Sequence, residues 1–154
     1  MDLVDEMAYI FGALFVLANR IQILGDKVDP DLSIKQWLFI AVMSKFTETV
    51  PTLTEISMAM GSSHQNVKKM AVILENRGFI KLCKDERDAR TIRVMRTEKC
   101  EKHFKLMEQK EFEFIEELFT EFSEKQIHEL YTGVQRLSDN VVEMENHHEN
   151  TKKG

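Results

Sequence analysis

In this 154-residue chain four pairs, each a serine or threonine three places before a glutamine or glutamate, open amphipathic runs. The pairs are Ser33 and Gln36, Thr52 and Glu55, Ser62 and Gln65, and Ser123 and Gln126. In such a capping box the hydroxyl accepts one orphan backbone N–H of the first turn. The longer side chain accepts another, so the pattern fixes where helices begin. Gly61 and Gly78 fall where left-handed glycines would end the helices that follow the second and third boxes. With only two prolines and six glycines in the chain, few other breaks are available.

These signals predict helices over about 3–24, 34–47, 53–60, 63–77, 98–121 and 124–146. Residues 25–31 ("GDKVDPD") become a loop, and "HHENTKKG" a frayed tail. Between the fourth and fifth helices the periodicity changes to two. Ile80 and Leu82 alternate with Lys81 and Cys83, and Ile92 and Val94 alternate with Arg93 and Met95. That pattern is a half-buried antiparallel pair over 79–84 and 91–96, with "DERDA" as a charged hairpin tip. The expected fold class is mainly α with a small β-hairpin wing. It is a single domain over 1–154, in which a winged helix-turn-helix lobe (about 33–97) is flanked by helices over 3–24 and 98–146. The third and fourth helices join through a tight turn at Gly61 and Ser62, as that motif requires.

The longest apolar run, Met7 to Ala18, is twelve residues long, whereas a membrane-spanning helix takes about 20. Its flank carries Asp2, Asp5 and Glu6 rather than lysines, which argues against a secretory signal. A cytoplasmic protein without a membrane partner is the expectation. A helix apolar on nearly every side must still be covered by protein, so an intimate oligomer is expected. The apolar positions of the fifth and sixth helices, from Phe104 and Met107 onward, serve the same purpose. Cys83 and Cys100 are too few and too isolated for a disulfide framework.

The net charge of −5 hides a division. Residues 61–96 hold nine Lys and Arg against four acids, a local charge of +5, while the remaining 12 bases and 22 acids give −10. A basic island in an acidic body favours a polyanion on one face and repels it elsewhere. Within "HQNVKKMAVIL" the buried stripe is Val67, Met70, Ala71 and Leu74, which leaves Gln65, Lys68, Lys69 and Val72 on the opposite face. Ser62, Ser63, His64 and Asn66 surround the helix start. Amides pair with adenine edges, lysine with guanine or phosphate, and a helix N-terminus favours phosphate. Arg87 at the hairpin apex suits a narrow minor groove. Arg90 stands nearer the strand, where pairing with Asp85 or Asp88 would brace the loop.

The segments "LSIKQWLFI" (32–40), "PTLTEISMAMGSSHQNVKKMAVILENRGFI" (51–80), "DERDAR" (85–90, a D-x-R-x-x-R wing) and the Thr-Glu-Lys start at residue 97 resemble the MarR family of winged-helix regulators. The order and length of the flanking helices match as well, so the resemblance covers nearly the whole chain. It implies a transcriptional regulator, most often a repressor. Such a regulator is a homodimer with interlocking terminal helices, and its two lobes read a palindromic operator in double-stranded DNA. Recognition helices one DNA turn apart would be about 34 Å from each other. The resemblance also implies release by a small aromatic or phenolic effector in a cleft, for which Phe11, Phe15, Trp37 and Phe104 are the candidates. Peroxide-sensing members use a cysteine near the chain start, which this sequence lacks. Zinc-binding members use His, Glu and Cys, but His103, His128, His147 and His148 show no ligand spacing. Neither a cofactor nor a metal is therefore expected.

No P-loop, GxGxxG, GxSxG or HExxH occurs, and carboxylates such as those of "EQKEFEFIEE" have the spacing of a solvated helix face. An enzyme is not expected. The competing reading is a winged-helix protein-interaction module or anti-regulator that has lost DNA. It requires an apolar patch on the fourth helix or a neutral wing.

Overall fold

The computed structural model describes residues 2–151. Along them run α1 (Leu3–Gly25), α2 (Ile34–Met43), α3 (Leu53–Met60), α4 (His64–Asn76), β1 (Ile80–Lys84), β2 (Ile92–Arg96), α5 (Glu98–Leu118) and α6 (Glu124–Thr151). The fold is mainly helical with an antiparallel β1–β2 hairpin, in the order the sequence implies. The chain divides into two compact units, residues 1–114 and 115–154.

Three of the four capping boxes form, at Ser33, Thr52 and Ser123. The fourth is displaced by one residue. Ser63, not Ser62, caps α4 by accepting the Asn66 N–H at 3.2 Å. Ser62 still belongs to the exit from α3, its N–H donating to the Ser57 carbonyl at 3.0 Å. A further box opens α1, where Asp2 and Asp5 cap each other's backbone N–H. Its two aspartates lie outside the Ser/Thr–Gln/Glu pattern.

Helix ends differ from expectation for local reasons. The last turn of α2 tightens, with the N–H groups of Ser44, Lys45 and Phe46 each reaching back three residues at 3.1 Å, so the helix stops at Met43 rather than near 47. After α5, Glu121 takes φ 65°, a left-handed conformation that a continuing helix cannot contain. α6 extends to Thr151, so His147 and His148 are helical rather than part of a frayed tail; residues 152–154 of that tail lie outside the described residues.

The lobe core is built from α2, α3, α4 and the hairpin. Phe39, Ile40, Ile56, Val67, Ala71, Leu74 and Val94 are fully enclosed. Phe104 of α5 packs against this cluster and Met107 is also buried. Phe104 therefore serves the lobe, contrary to the expectation that it faces a partner. A third extended segment lies beside β2, where the Val94 N–H donates to the Pro51 carbonyl at 2.8 Å and Thr52 bridges Arg93. An isolated bridge is too short to show a period. Gly25 lies so close to α2 that a Cβ there would sit 2.9 Å from Ile34 Cδ1.

In α1 the only buried residue is Gly25. Tyr9 is 71% and Phe11 66% exposed. By length and composition this helix could cross a membrane, with a mean hydropathy of 1.6 over 18 residues. The twelve-residue run understates it because Leu3 and Val4, and Ile21, Ile23 and Leu24, extend the apolar surface at both ends.

Candidate nucleic-acid interface

The turn that presents α4 depends on Gly61. It ends α3 at φ 60°, ψ 33°, and its N–H closes onto Met58. A side chain would meet no atom there, so the conformation alone selects glycine. The capping Ser63 then satisfies Asn66, and Val67, Ala71 and Leu74 anchor the helix to the core. This anchoring orients the outer face. Ser63, His64, Gln65, Asn66, Lys68 and Lys69 are all exposed, and Ser62 is half-buried behind them. These seven residues, predicted from sequence, thus share one end and one face of α4. Val72 and Ile73 are also exposed, at 44% and 48%.

The other end of α4 is held by four contacts. The Glu75 carboxylate accepts the Leu82 N–H of β1 at 2.8 Å. Lys99 Nζ donates to the Arg77 carbonyl at 2.6 Å, covering a terminal carbonyl of the helix. The Arg77 guanidinium and the Lys99 ammonium lie 5.4 and 4.7 Å from the centre of the buried Phe79 ring. α4, the β-hairpin and α5 are therefore joined at one corner.

The wing is braced by Arg93, not by Arg90. Arg93 Nε pairs with Asp85, and its Nη1 donates to the Val50 carbonyl beside α3. Asp85 also accepts the N–H of Arg87 at 2.8 Å and of Asp88 at 3.1 Å. The Arg93 bond first, and these two backbone bonds next, hold the Asp85 carboxyl below the ordinary carboxylate range. Asp88 accepts the Arg90 N–H at 3.0 Å and the Thr91 hydroxyl at 3.3 Å. Both aspartates are spent on backbone, so the Arg87 and Arg90 side chains remain exposed at the tip. The sequence offered Arg90, nearer the strand, as the partner of Asp85 or Asp88. The pleat decides otherwise, because Arg93 stands opposite Cys83 in the register and reaches the first turn residue.

The four aromatic candidates for an effector cleft are placed unequally. Phe11 and Phe15 lie edge to face on α1 with ring centres 5.2 Å apart, both more than half exposed. Phe104 joins the core, and Trp37 is half-buried on α2. Glu111, expected on a solvated face, is half-buried; burial raises its carboxyl, and the Trp37 indole N–H offsets part of that rise. Neither Trp37 Nε1 nor Glu111 Oε1, both buried, has a partner at hydrogen-bonding geometry.

Solved structures share this architecture. A MarR/EmrR family transcriptional regulator from Acinetobacter sp. ADP1 superposes with a TM-score of 0.78 at 20% identity, covering 92% of this chain and 99% of its own. BpsR of Bordetella bronchiseptica, whose DNA binding is regulated by 6-hydroxynicotinic acid, superposes at 0.74 and 14% identity, covering 84% and 93%. MepR of S. aureus, solved with DNA, superposes at 0.73 and 16% identity, covering 86% and 96%. No protein-family profile and no curated protein matches the sequence. The chain has the winged-helix fold of the MarR-family transcriptional regulators.

Proposed function

We propose that this chain is a sequence-specific DNA-binding transcriptional regulator and not an enzyme: a homodimeric repressor that a small aromatic or phenolic molecule releases from a palindromic operator. The observation that carries the reading is the solvent-facing surface of α4 and the wing. A helix N-terminus, two amides and two lysines project from a packed helix-turn-helix, and two arginines project from a wing whose two aspartates are occupied internally. Lys68 and Lys69 contact phosphate, Gln65 and Asn66 read base edges in the major groove, and Arg87 and Arg90 reach the minor groove. The acidic remainder of the molecule limits adhesion to DNA elsewhere. Such a regulator works in the cytoplasm, where its DNA lies.

A second copy of the chain covers the apolar faces of α1 and α6. On α6 these are Ile127, Leu130, Val134, Leu137 and Val141, spaced three or four residues apart and all exposed. The effector reading is supported by the buried Trp37 indole N–H and Glu111 carboxyl, which interact without a well-formed hydrogen bond and which a polar aromatic ligand would satisfy. Trp37 is the sole tryptophan, so its fluorescence reports occupancy directly.

The test is selection from a random duplex pool at about physiological salt, with a Lys68→Ala, Arg87→Ala double variant in parallel. Enrichment of a palindrome by the parent and not by the variant is the expected result. No enrichment from a folded dimer would remove the regulator reading. The exposed Met58, Val72 and Ile73 favour one alternative, a protein-binding winged helix. Salt separates the two, since each phosphate contact adds about 0.9 to the slope of log affinity against log salt, whereas an apolar interface is nearly insensitive.

A further inference from the structure

Asp29 and Asp31, in the link between α1 and α2, meet His103 of α5, and one donor atom from each lies within 4.8 Å of the others. His103 Nε2 shares a 2.6 Å hydrogen bond with Asp29 Oδ2, and its Nδ1 lies 3.8 Å from Asp31 Oδ2. Asp29 is buried, at 7% exposure, and its other oxygen accepts the Asp31 N–H at 2.7 Å. The Asp29 carboxylate can only accept, so Nε2 is the donor in this bond, and Nδ1 is the ring nitrogen that faces Asp31. Phe79 and Phe104 meet the ring edge to face, with centres at 5.2 and 6.5 Å, and fix its plane.

We propose that His103 Nδ1 and the Asp31 carboxylate are ligands for a divalent first-row transition ion, with Asp29 orienting the imidazole. Such bonds are about 2.0–2.2 Å long, so two donors 3.8 Å apart can share one ion with little movement. A metal-bound imidazole almost always donates its other N–H to a carboxylate, which is the role Asp29 already fills. One nitrogen and one or two carboxylate oxygens suit a borderline ion such as Zn²⁺ better than a purely hard one. Water completes the coordination. The Arg77 guanidinium is 3.5 Å from Asp31 Oδ1, the oxygen that does not face His103, so it leaves Oδ2 available. Because 74 residues separate Asp29 from His103, no local spacing reveals the group.

The test requires no DNA, so its failure is distinct from failure of the regulator reading. Zn²⁺ is titrated into metal-free protein at pH 7 against a chromophoric zinc chelator. One tightly held Zn²⁺ per chain is expected, weakened at least about tenfold by His103→Gln or Asp31→Asn, and about tenfold by Asp29→Asn. A His147→Gln, His148→Gln double variant controls for zinc on terminal histidines and should retain the tight site. Asp31 has an exposed side chain, 56% accessible, so Asp31→Asn decides the matter even if His103→Gln fails to fold. No uptake, or uptake that survives Asp31→Asn and disappears with the double variant, would overturn the assignment.

Discussion

α1 and α2 are both dominated by apolar side chains, yet they meet opposite surroundings. α2 buries Phe39, Ile40, Val42 and Met43 within the lobe, whereas α1 buries only Gly25. The difference separates two meanings of hydrophobicity. In α2 it is satisfied by the chain's own α3, α4 and hairpin. In α1 it is left for something outside the single chain, because a large exposed apolar surface marks an interaction site. The lobe should therefore be stable on its own account, and α1 should carry association.

The largest effects test that division directly. Phe79→Ala, at the corner where α4, β1 and α5 meet, should cost about 3–5 kcal/mol in urea denaturation. Phe11→Glu with Phe15→Glu should leave lobe unfolding within about 0.5 kcal/mol at concentrations where the parent is monomeric, yet abolish the dimer in sedimentation. A loss as large as that of Phe79→Ala would mean that α1 belongs to the lobe's folding unit.

The architecture was readable because it rests on local rules. Caps, a left-handed glycine and a change of period from 3.6 to two placed every element within a few residues. What escaped depends on pairing across the chain. Asp29 lies in a loop that reads as solvated, but His103 encloses it. Arg93 occupies a strand position that reads as ordinary, but register and pleat bring it to Asp85 and Val50. Glu111 fits a solvated repeat until Trp37 and its surroundings bury it. The exposed residues on α4 were legible for the converse reason: once the buried stripe is known, helix geometry alone fixes the outer face.

Smaller effects sharpen the contrast within the lobe. Ser63→Ala removes the α4 cap and should cost about 1 kcal/mol, while Ser62→Ala, lacking that bond, should cost only a few tenths. Equal losses would place the helix start at the sequence-expected position after all. In the wing, Arg93→Ala should weaken DNA binding by loosening the tip, with no contact to DNA of its own. The Asp85 brace has a depressed carboxyl, so its contribution is present above the unfolded value near 3.8 and is lost only as the pH falls below that, through the folded value. DNA affinity measured from pH 5 to 8 should therefore show no titration from this pair.

The smallest effect concerns the two thiols, which repeat the division between closed and open surroundings on the scale of single side chains. Cys100 is enclosed in the lobe, where burial first, then the Glu101 charge, raises its thiol to about 11, whereas Cys83 is half-buried on the hairpin. At pH 8 a thiol reagent should modify Cys83 in the native protein and reach Cys100 only after unfolding. The sign of the linkage gives an independent check. A raised folded value means that the protonated thiol favours the native state fully below about 9, and that this advantage fades as pH climbs from there toward 11. Cys100→Ala should remove that part of the alkaline loss of stability while Cys83→Ala leaves it intact. If Cys100 instead reacted as readily as Cys83 at neutral pH, the α5 side of the lobe core would have to open far more often than the packing of Phe79, Val94 and Phe104 implies.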